Sequence, residues 1–117
     1  MDVRQVESGN EGIENGWSLQ EQTIAHYCFD LAYEREIAGL MRSVRDRTSS
    51  ITTVDDIWHL HDFLSARRHN VDGKYDFRYP FLIMVFAQLV KEGWLQLQEL
   101  EGLDSLKRAK IAALSKM

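Results

Sequence analysis

The chain has 117 residues and a formal net charge of −4, which is the size of one domain. Hydrophobic residues make up 44% and charged residues 27%, the balance of a globular chain rather than a disordered one. The acidic charge argues against a nucleic-acid binder, which normally presents a basic face. The single Cys28 excludes an internal disulfide and fits a reducing compartment. The first residues lack the apolar stretch of a signal peptide, and the longest apolar run, 81–87, is too short to span a bilayer.

The first segments predict an acidic tail followed by one long helix. Residues 1–16 are rich in Gly, Glu, Asn and Ser, so we expect a flexible tail that buries little. Ser18 is followed three residues later by Glu21, a capping box that starts a helix. Because a lone glycine such as Gly39 costs a helix only about 1 kcal/mol, the helix is predicted to continue to Arg47.

A second helix is predicted to begin after Thr53. Thr53 is a good N-cap, and the carboxylates of Asp55 and Asp56 complement the helix dipole in the first turn. This helix is predicted to end at Asn70, because residues 71–74 contain an Asp-Gly turn signal.

Two further helices are predicted in the last third of the chain. Pro80 is well placed in a first helical turn, and Gly93 is well placed to end the same helix. Residues 81–86 are apolar on all sides, which predicts burial on most faces of this third helix. A last helix is predicted over 103–116. Residues 94–102 alternate weakly, and strand, helix and loop all remain open for them.

The second helix carries the most information about function. On a helical wheel, Leu60, Phe63 and Leu64 form an arc that is predicted to pack against the first helix. The neighbouring arc mixes aliphatic, aromatic and charged side chains: Val54, Ile57, Trp58, His61, Asp62, Ser65 and Arg68. Cores avoid this mixture because unpaired buried charge is costly, whereas Trp and Arg are enriched at interface centres. We therefore favour an interface, with a solvent-edge face of snorkelling side chains as the alternative.

A heptad spacing and a two-sided first helix both favour self-association. Residues 54, 57, 61, 64 and 68 follow a heptad, which places His61 and Arg68 where a coiled-coil seam carries register-setting polar residues. The first helix has one apolar side with Ile24, Cys28 and Leu31, and another with Phe29, Tyr33, Ile37, Leu40 and Val44. Such a helix needs two packing partners, and a second copy of the chain could supply one of them.

The sequence contains no recognisable catalytic or metal-binding set. His59 and His61 point in different directions on a helix, and His69 lies roughly 12 Å beyond His61. No common metal-binding or phosphate-binding motif occurs. Cys28 lies within an apolar helical stretch, where an inert thiol is expected rather than a nucleophile. The residues themselves therefore predict neither an enzyme, a metal nor a cofactor.

The run from Val54 to Asp76, VDDIWHLHDFLSARRHNVDGKYD, closely resembles the core of the fluorescence recovery protein family. Further similarity covers residues 17–18, 32–40, 85–93 and, weakly, 110–111, so that the resemblance extends over about 17–114. It implies an all-α homodimer, with an elongated stalk of two long helices over about 17–72 and a small helical head over about 73–117.

The same resemblance implies a non-enzymatic regulator of photoprotection in cyanobacteria. Such a protein binds the C-terminal domain of the photoactivated, red orange carotenoid protein. It accelerates the return to the orange form and the detachment from the phycobilisome, which restores antenna fluorescence. The resemblance implies no cofactor or pigment, no nucleic acid and no integral membrane segment. The expected location is the cytoplasm, including the cytoplasmic side of the thylakoid membrane.

The resemblance also implies roles for individual residues. The polar cluster of the family falls on Trp58, His61, Asp62 and Arg68, which implies partner binding and a place at the dimer interface. We expect Trp58 and Asp62 to orient Arg68. The dimer seam is expected to contain Val54, Ile57 and Leu64. In the head, Lys110 matches a residue connected with partner binding, and Met84 stands where a relative has an aromatic residue.

Two other classes compete with this interpretation. A winged-helix DNA-binding regulator would show a helix ending near 91–93 and then a strand over Trp94 to Gln96, as this pattern allows. The acidic charge and the lack of a basic recognition helix count against it. A small helical enzyme would need a nucleophile-base pair or a set of metal ligands, which the sequence does not offer.

Overall fold

A computed structural model describes residues 15–117, and residues 1–14 of the predicted acidic tail lie outside the described part. The described chain contains four α-helices, α1 to α4, and two short 3₁₀ segments. They are α1 Leu19–Ser49, α2 Val54–Lys74, the 3₁₀ segment Tyr79–Phe81, α3 Leu82–Lys91, the 3₁₀ segment Leu97–Leu100 and α4 Ser105–Ser115. Residues 15–117 contain no strand, and β pairing is limited to isolated bridge positions at Trp17, Glu101 and Leu103. The predicted all-α class is therefore confirmed.

Local sequence signals set the starts of the two long helices. The backbone N–H of Glu21 donates to Ser18 Oγ at 3.1 Å, and Ser18 N–H donates back to Glu21 Oε1 at 3.0 Å. Thr53 and Asp56 form the same reciprocal pair at the start of α2. Both capping arrangements satisfy backbone donors that a helix start would otherwise leave free.

Several helix ends differ from the sequence predictions. The helix α2 continues to Lys74 rather than ending at Asn70, because long-range contacts described below hold its last turn. Within residues 94–102, Leu97–Leu100 forms a 3₁₀ segment and the rest is irregular, so the strand that a winged helix would need is absent from them. Gly93 follows α3 with a φ of +86°, a conformation that favours glycine, as the prediction required.

One end of the molecule contains the apolar core. We call residues 15–36 and 75–117 the packed end. Its fully or nearly fully buried apolar side chains include Trp17, Ala25, Cys28, Ala32, Leu82, Phe86, Leu89, Leu95, Leu100 and Ile111. Small residues at positions 25, 28 and 32 lie on one face of α1 and allow close packing there. The prediction that α3 is buried on most sides is confirmed: five of its ten residues are buried and Ile83 and Val90 are partly buried, which leaves an exposed strip at Met84, Gln88 and Lys91.

The remainder of the chain extends away from the core as a pair of helices. We call residues 37–74 the two-helix arm, which consists of the second half of α1 and the whole of α2. The molecule measures 73 × 26 × 18 Å as a result. Val71 is the only buried residue of α2. Leu60 and Phe63 are half-buried against α1 as predicted, and the Arg47 guanidinium lies 3.7 Å from the Phe63 ring centroid.

Candidate functional site

The outer surface of α2 exposes large apolar side chains in a continuous row. Val54 is 60% exposed, Trp58 58% and Ile57 46%, and Leu64 lies at the edge of the same surface. We call Val54, Ile57, Trp58, His61, Leu64 and Arg68 the seam face. Contiguous exposed apolar surface on a soluble protein commonly marks an interaction site. The seam face contains five residues of the mixed arc that the helical wheel grouped together. It also contains Leu64, which the wheel placed on the arc facing α1 but which is 36% exposed.

The predicted polar cluster is only partly assembled within one chain. The rings of Trp58 and His61 lie edge to face with centroids 6.4 Å apart, and His61 Nδ1 lies 3.4 Å from Asp62 Oδ1. Arg68 is separate, because the ten residues between Trp58 and Arg68 correspond to about 15 Å along a helix. Its Nε lies 3.5 Å from Asp72 Oδ2 instead. The expectation that Trp58 and Asp62 orient Arg68 is therefore wrong within a single chain. The (i, i+4) spacing of Arg68 and Asp72 is the sequence pattern that could have predicted this pair.

A groove of about 340 Å³ runs between α1 and α2 beside the seam face. Its lining is mostly apolar and aromatic, with charged side chains along one rim: Tyr33, Ile37, Leu40, Leu64, Val71, Arg67, Arg68 and Asp72. The groove continues toward the packed end, where Phe29, Asp30 and Tyr75 join its walls. The second apolar side predicted for α1 is therefore open over part of its length.

A buried charge network lies where the arm meets the packed end, and sequence reasoning missed it. Glu36 is only 2% exposed, and its carboxylate lies 2.8 Å from Lys74 Nζ. Lys74 Nζ also lies 2.6 Å from Glu92 Oε1, the Tyr75 hydroxyl donates to Glu36 Oε1 at 2.7 Å, and Arg67 approaches Glu36 at 3.3 Å. The partners are 31 to 39 residues from Glu36 along the chain, so no local pattern could have found them.

The network shifts the pKa values of Glu92 and Tyr75. Burial alone would raise the pKa of Glu92, but hydrogen bonds from Lys74 and Gln88 outweigh it and hold that pKa below its usual value. Burial and the bond to Glu36 raise the pKa of the Tyr75 phenol. The tyrosine therefore remains a neutral donor to the Glu36 carboxylate throughout the physiological range.

Two further ionic contacts tie α1 to the rest of the packed end. Arg35 forms a bidentate pair with Glu99 at 2.8 and 2.7 Å and also donates to the Trp94 carbonyl. Glu21 accepts from the Asp104 backbone N–H at 2.7 Å and from Lys107 Nζ at 3.1 Å. These contacts connect the start of α1 to the segments around the second 3₁₀ turn and the start of α4.

The two residues predicted as head contacts both lie on the surface. Met84 is 67% exposed and lines a shallow groove with Ala87, Gln88, Lys91, Leu114 and Met117. Lys110 lies on the exposed side of α4 and is not part of that groove. This second surface combines flexible thioether side chains, which adapt to irregular partners, with nearby positive charge.

Residues 15–117 contain no group of three or more His, Cys, Asp or Glu side chains placed to hold a metal ion. Cys28 is buried, its thiol donates to the Glu99 carbonyl at 3.3 Å, and burial raises its pKa to about 11. Over the same residues, no helix is long and apolar enough to cross a membrane.

Comparison with known proteins shows the family to which the chain belongs. Residues 17–115 match the family described as "Photoprotection regulator fluorescence recovery protein". The chain belongs to the fluorescence recovery protein family. It is 52% identical over 101 residues to the fluorescence recovery protein of Synechocystis sp. (strain ATCC 27184 / PCC 6803 / Kazusa), which covers 86% of this chain and 93% of that protein. The family consists of photoprotection regulators rather than enzymes.

Solved structures of fluorescence recovery proteins have the same fold. The structure from Fremyella diplosiphon superposes with a TM-score of 0.84 at 54% identity, covering 86% of this chain and 99% of that one. The structure from Synechocystis sp. PCC 6803 superposes with a TM-score of 0.83 at 51% identity, with the same coverage. The family match therefore includes the seam face, the charge network and the Met84 surface.

Proposed function

We propose that this protein resets a photoactivated carotenoid protein. It binds the C-terminal domain of the red form of the orange carotenoid protein, accelerates its return to the orange form and helps detach it from the phycobilisome. The observation that carries the proposal is the exposed seam face, which lies within the residues that match a family of photoprotection regulators. The proposal places the protein in the cytoplasm, either free or at the cytoplasmic side of the thylakoid membrane.

The proposal includes a homodimer formed through the arms, which contain residues 37–72 of the predicted stalk. Val54, Ile57 and Leu64 would form the apolar part of the seam, because the chain itself leaves them uncovered. Two copies of α2 packed antiparallel about a two-fold axis near the middle of the helix would place Trp58 of one copy opposite Arg68 of the other. This arrangement assembles the polar cluster that a single chain cannot.

The partner is held by charge on the arm and by the packed end, which corresponds to the head of the family. Arg68 is our candidate for the essential charged contact, since its side chain is 85% exposed and presents a guanidinium suited to a carboxylate. Met84 and Lys110 provide a second contact on the packed end, one apolar and one cationic. Trp58, His61 and Asp62 support the surface around Arg68.

The acceleration follows from differential binding. The activated carotenoid protein has separated domains that must meet again, and a helper speeds this step only by favouring the closing transition over the open state. Equal binding to the open and closed forms would change nothing. We propose that this protein holds the exposed C-terminal domain in an orientation ready for closure, and that it releases the compact product because closure covers the same surface.

The test is to mix the protein with the photoactivated carotenoid protein and to time the return of the orange absorption spectrum. The wild-type chain should accelerate the return at substoichiometric or equal amounts. Arg68→Leu should remain dimeric in sedimentation experiments but restore the orange form much more slowly. Arg45→Leu, which removes another exposed charge elsewhere on the arm, is the matched control and should behave as wild type. A dimeric Arg68→Leu variant with the wild-type rate would contradict the role of Arg68.

A further inference from the structure

The helix α2 is held on the protein in an unusual way. A surface helix is normally held by an apolar stripe that covers about a third of its circumference, but α2 buries only Val71 among its 21 residues. Leu60 and Phe63 pack partly against α1, and the hydrogen-bonded contacts that reach from α2 to the other helices are ionic. Arg67 reaches Glu36 on α1, and Lys74 reaches both Glu36 and Glu92 at the end of α3.

These groups form a compensated set. Glu36 and Glu92 carry two negative charges, and Lys74 and Arg67 carry two positive ones. The Lys74 side chain is only 6% exposed, so its ammonium has exchanged water for the two carboxylates. Removing one partner from such a buried set leaves an uncompensated charge, which is strongly unfavourable. The set is therefore satisfied in one arrangement of the three helices and in few others.

The arrangement also fixes the rotation of α2 about its axis. Consecutive residues on a helix differ by about 100° in direction. Arg67 turns toward Glu36 and is 30% exposed, whereas Arg68 turns outward and is 85% exposed. A slip of one residue between α1 and α2 would separate Lys74 from Glu36 and would also turn the seam face away from its present direction.

We infer that Glu36, Lys74 and Glu92 form a charge lock that determines where α2 lies on α1 and hence where the seam face points. Lys74 and Glu36 are positioning residues: their side chains are 6% and 3% exposed, so they act through the placement of Trp58 and Arg68 rather than by contact with a partner. The lock lies at the junction, so it also fixes the arm relative to the packed end. The role of the lock in partner recognition rests on the proposed function, whereas its role in placing α2 does not depend on that function.

Hydrogen exchange of backbone amides measures the lock directly. Lys74→Met keeps the length of the side chain and removes the charge. We expect the amides of α2 to exchange at least about tenfold faster, while those of α3 and of the first half of α1 keep their wild-type rates, because local opening need not involve the core. Comparison at low and high protein concentration separates any protection that a second chain provides. Lys116→Met, which removes an exposed lysine at the end of the chain, should change neither region.

Lys74→Met could loosen α2 either because the lock is lost or because the Glu36 carboxylate is left without a partner. Two further variants distinguish these explanations. Lys74→Arg keeps a cation within reach of Glu36 and should preserve most of the protection of α2. The double variant Glu36→Gln with Lys74→Met removes the opposite charges together, so no carboxylate is left alone at that position. A lock predicts that α2 remains loose in the double variant. Recovery of wild-type protection in the double variant would overturn the inference, as would unchanged α2 exchange or a uniform increase over the whole chain in Lys74→Met.

The colour-reversion assay provides the functional readout. Lys74→Met should slow the return of the orange form several-fold at limiting protein, although the substituted side chain is only 6% exposed. If the wild-type protein itself fails to accelerate the reversion, the proposed function fails and the exchange experiment still decides the lock. If the wild-type protein accelerates the reversion and Lys74→Met acts equally well despite a loose α2, the positioning role is wrong.

Discussion

The packed end and the two-helix arm are built from the same kind of helix but are stabilised differently. The packed end buries large side chains such as Phe86, Leu89 and Ile111 completely. The arm leaves Val54, Ile57 and Trp58 in solvent and is fixed to the rest of the molecule by a few buried charges. The same α1 helix serves both regions, with one apolar side used in the core and the other largely open.

The difference in burial suggests that the two regions have different structural roles. A region with a complete core can fold and remain rigid without help, whereas a region with an exposed apolar face gains stability from whatever covers it. In this molecule the second region carries the residues that the family resemblance connects with partner binding and dimerisation. Under the proposed function, the packed end would act as the support, and the arm would present the surface that association completes.

The largest expected effect is the difference in lost stability when one leucine is replaced by alanine in each of the two regions. Leu89→Ala should lower the free energy of unfolding by roughly 3–5 kcal/mol, because Leu89 is fully buried and leaves a cavity. Leu64→Ala, at the edge of the seam face, should cost less than about 1 kcal/mol at low protein concentration. Denaturant titration of both variants measures the contrast. Equal losses would mean that the arm contributes to the core after all.

The next effect concerns association through the arm. Ile57→Glu places a carboxylate in the centre of the seam face, and burying it unpaired in a dimer would cost several kcal/mol, enough to separate a dimer of ordinary affinity. Sedimentation should show a folded monomer. Ala66→Glu, on an exposed face of α2 away from the seam, is the control and should leave the dimer intact. A fully dimeric Ile57→Glu variant at micromolar concentration would place the interface elsewhere.

Replacing each of two glycines by alanine should change the stability of the protein in opposite directions. Gly102 has a φ of +107°, and an added Cβ would lie 2.4 Å from Ile24 Cδ1, so Gly102→Ala should destabilise the packed end by about 1–3 kcal/mol. In the last turn of α2, an added Cβ at Gly73 meets no atom within 4 Å, so Gly73→Ala should stabilise the arm by about 0.5–1 kcal/mol. Thermal unfolding monitored by circular dichroism checks both signs. A destabilised Gly73→Ala variant would show that α2 needs flexibility there.

The smallest effect is a pH dependence confined to the packed end. Hydrogen bonds from Arg35 and from the Gln96 backbone lower the pKa of Glu99 to about 2. A carboxyl group whose pKa is lower in the folded state than in the unfolded state stabilises the fold at pH values above its unfolded pKa. The contribution of Glu99 to stability is therefore complete at neutral pH and is lost between about pH 4.5 and pH 2. Glu99→Gln should be less stable than wild type at pH 7, and the difference should shrink toward pH 2. Glu101→Gln, an exposed neighbour, should show no such convergence in denaturant titrations.

Features that depend on neighbouring residues were predictable from the sequence. The capping box of Ser18 and Glu21, the N-cap at Thr53 and the glycine end of α3 each follow from a few adjacent side chains. The seam face was also predictable, because a helical wheel needs only the residues of one helix. The structure confirms that these side chains lie exposed on one surface, whereas their roles in binding stay predictions.

Features that depend on distant residues were not predictable. The Asp72-Gly73 pair indicated a turn, yet α2 continues to Lys74 because Glu36 and Glu92 bind its ammonium. A glutamate in the middle of a long charged helix looks like a solvated residue, and nothing nearby indicated that Glu36 would be buried. Tertiary contacts of this kind override local propensity and turn signals.

The buried thiol of Cys28 makes this protein a convenient host for spectroscopic labels. With a pKa of about 11, only on the order of one thiol in ten thousand is ionised at pH 7, and the thiolate is the reactive form. A cysteine introduced at an exposed arm position such as Ala66 can therefore be modified selectively while Cys28 stays in place. Distances between arms, or between an arm and a bound partner, thus become measurable in a chain that keeps its native core.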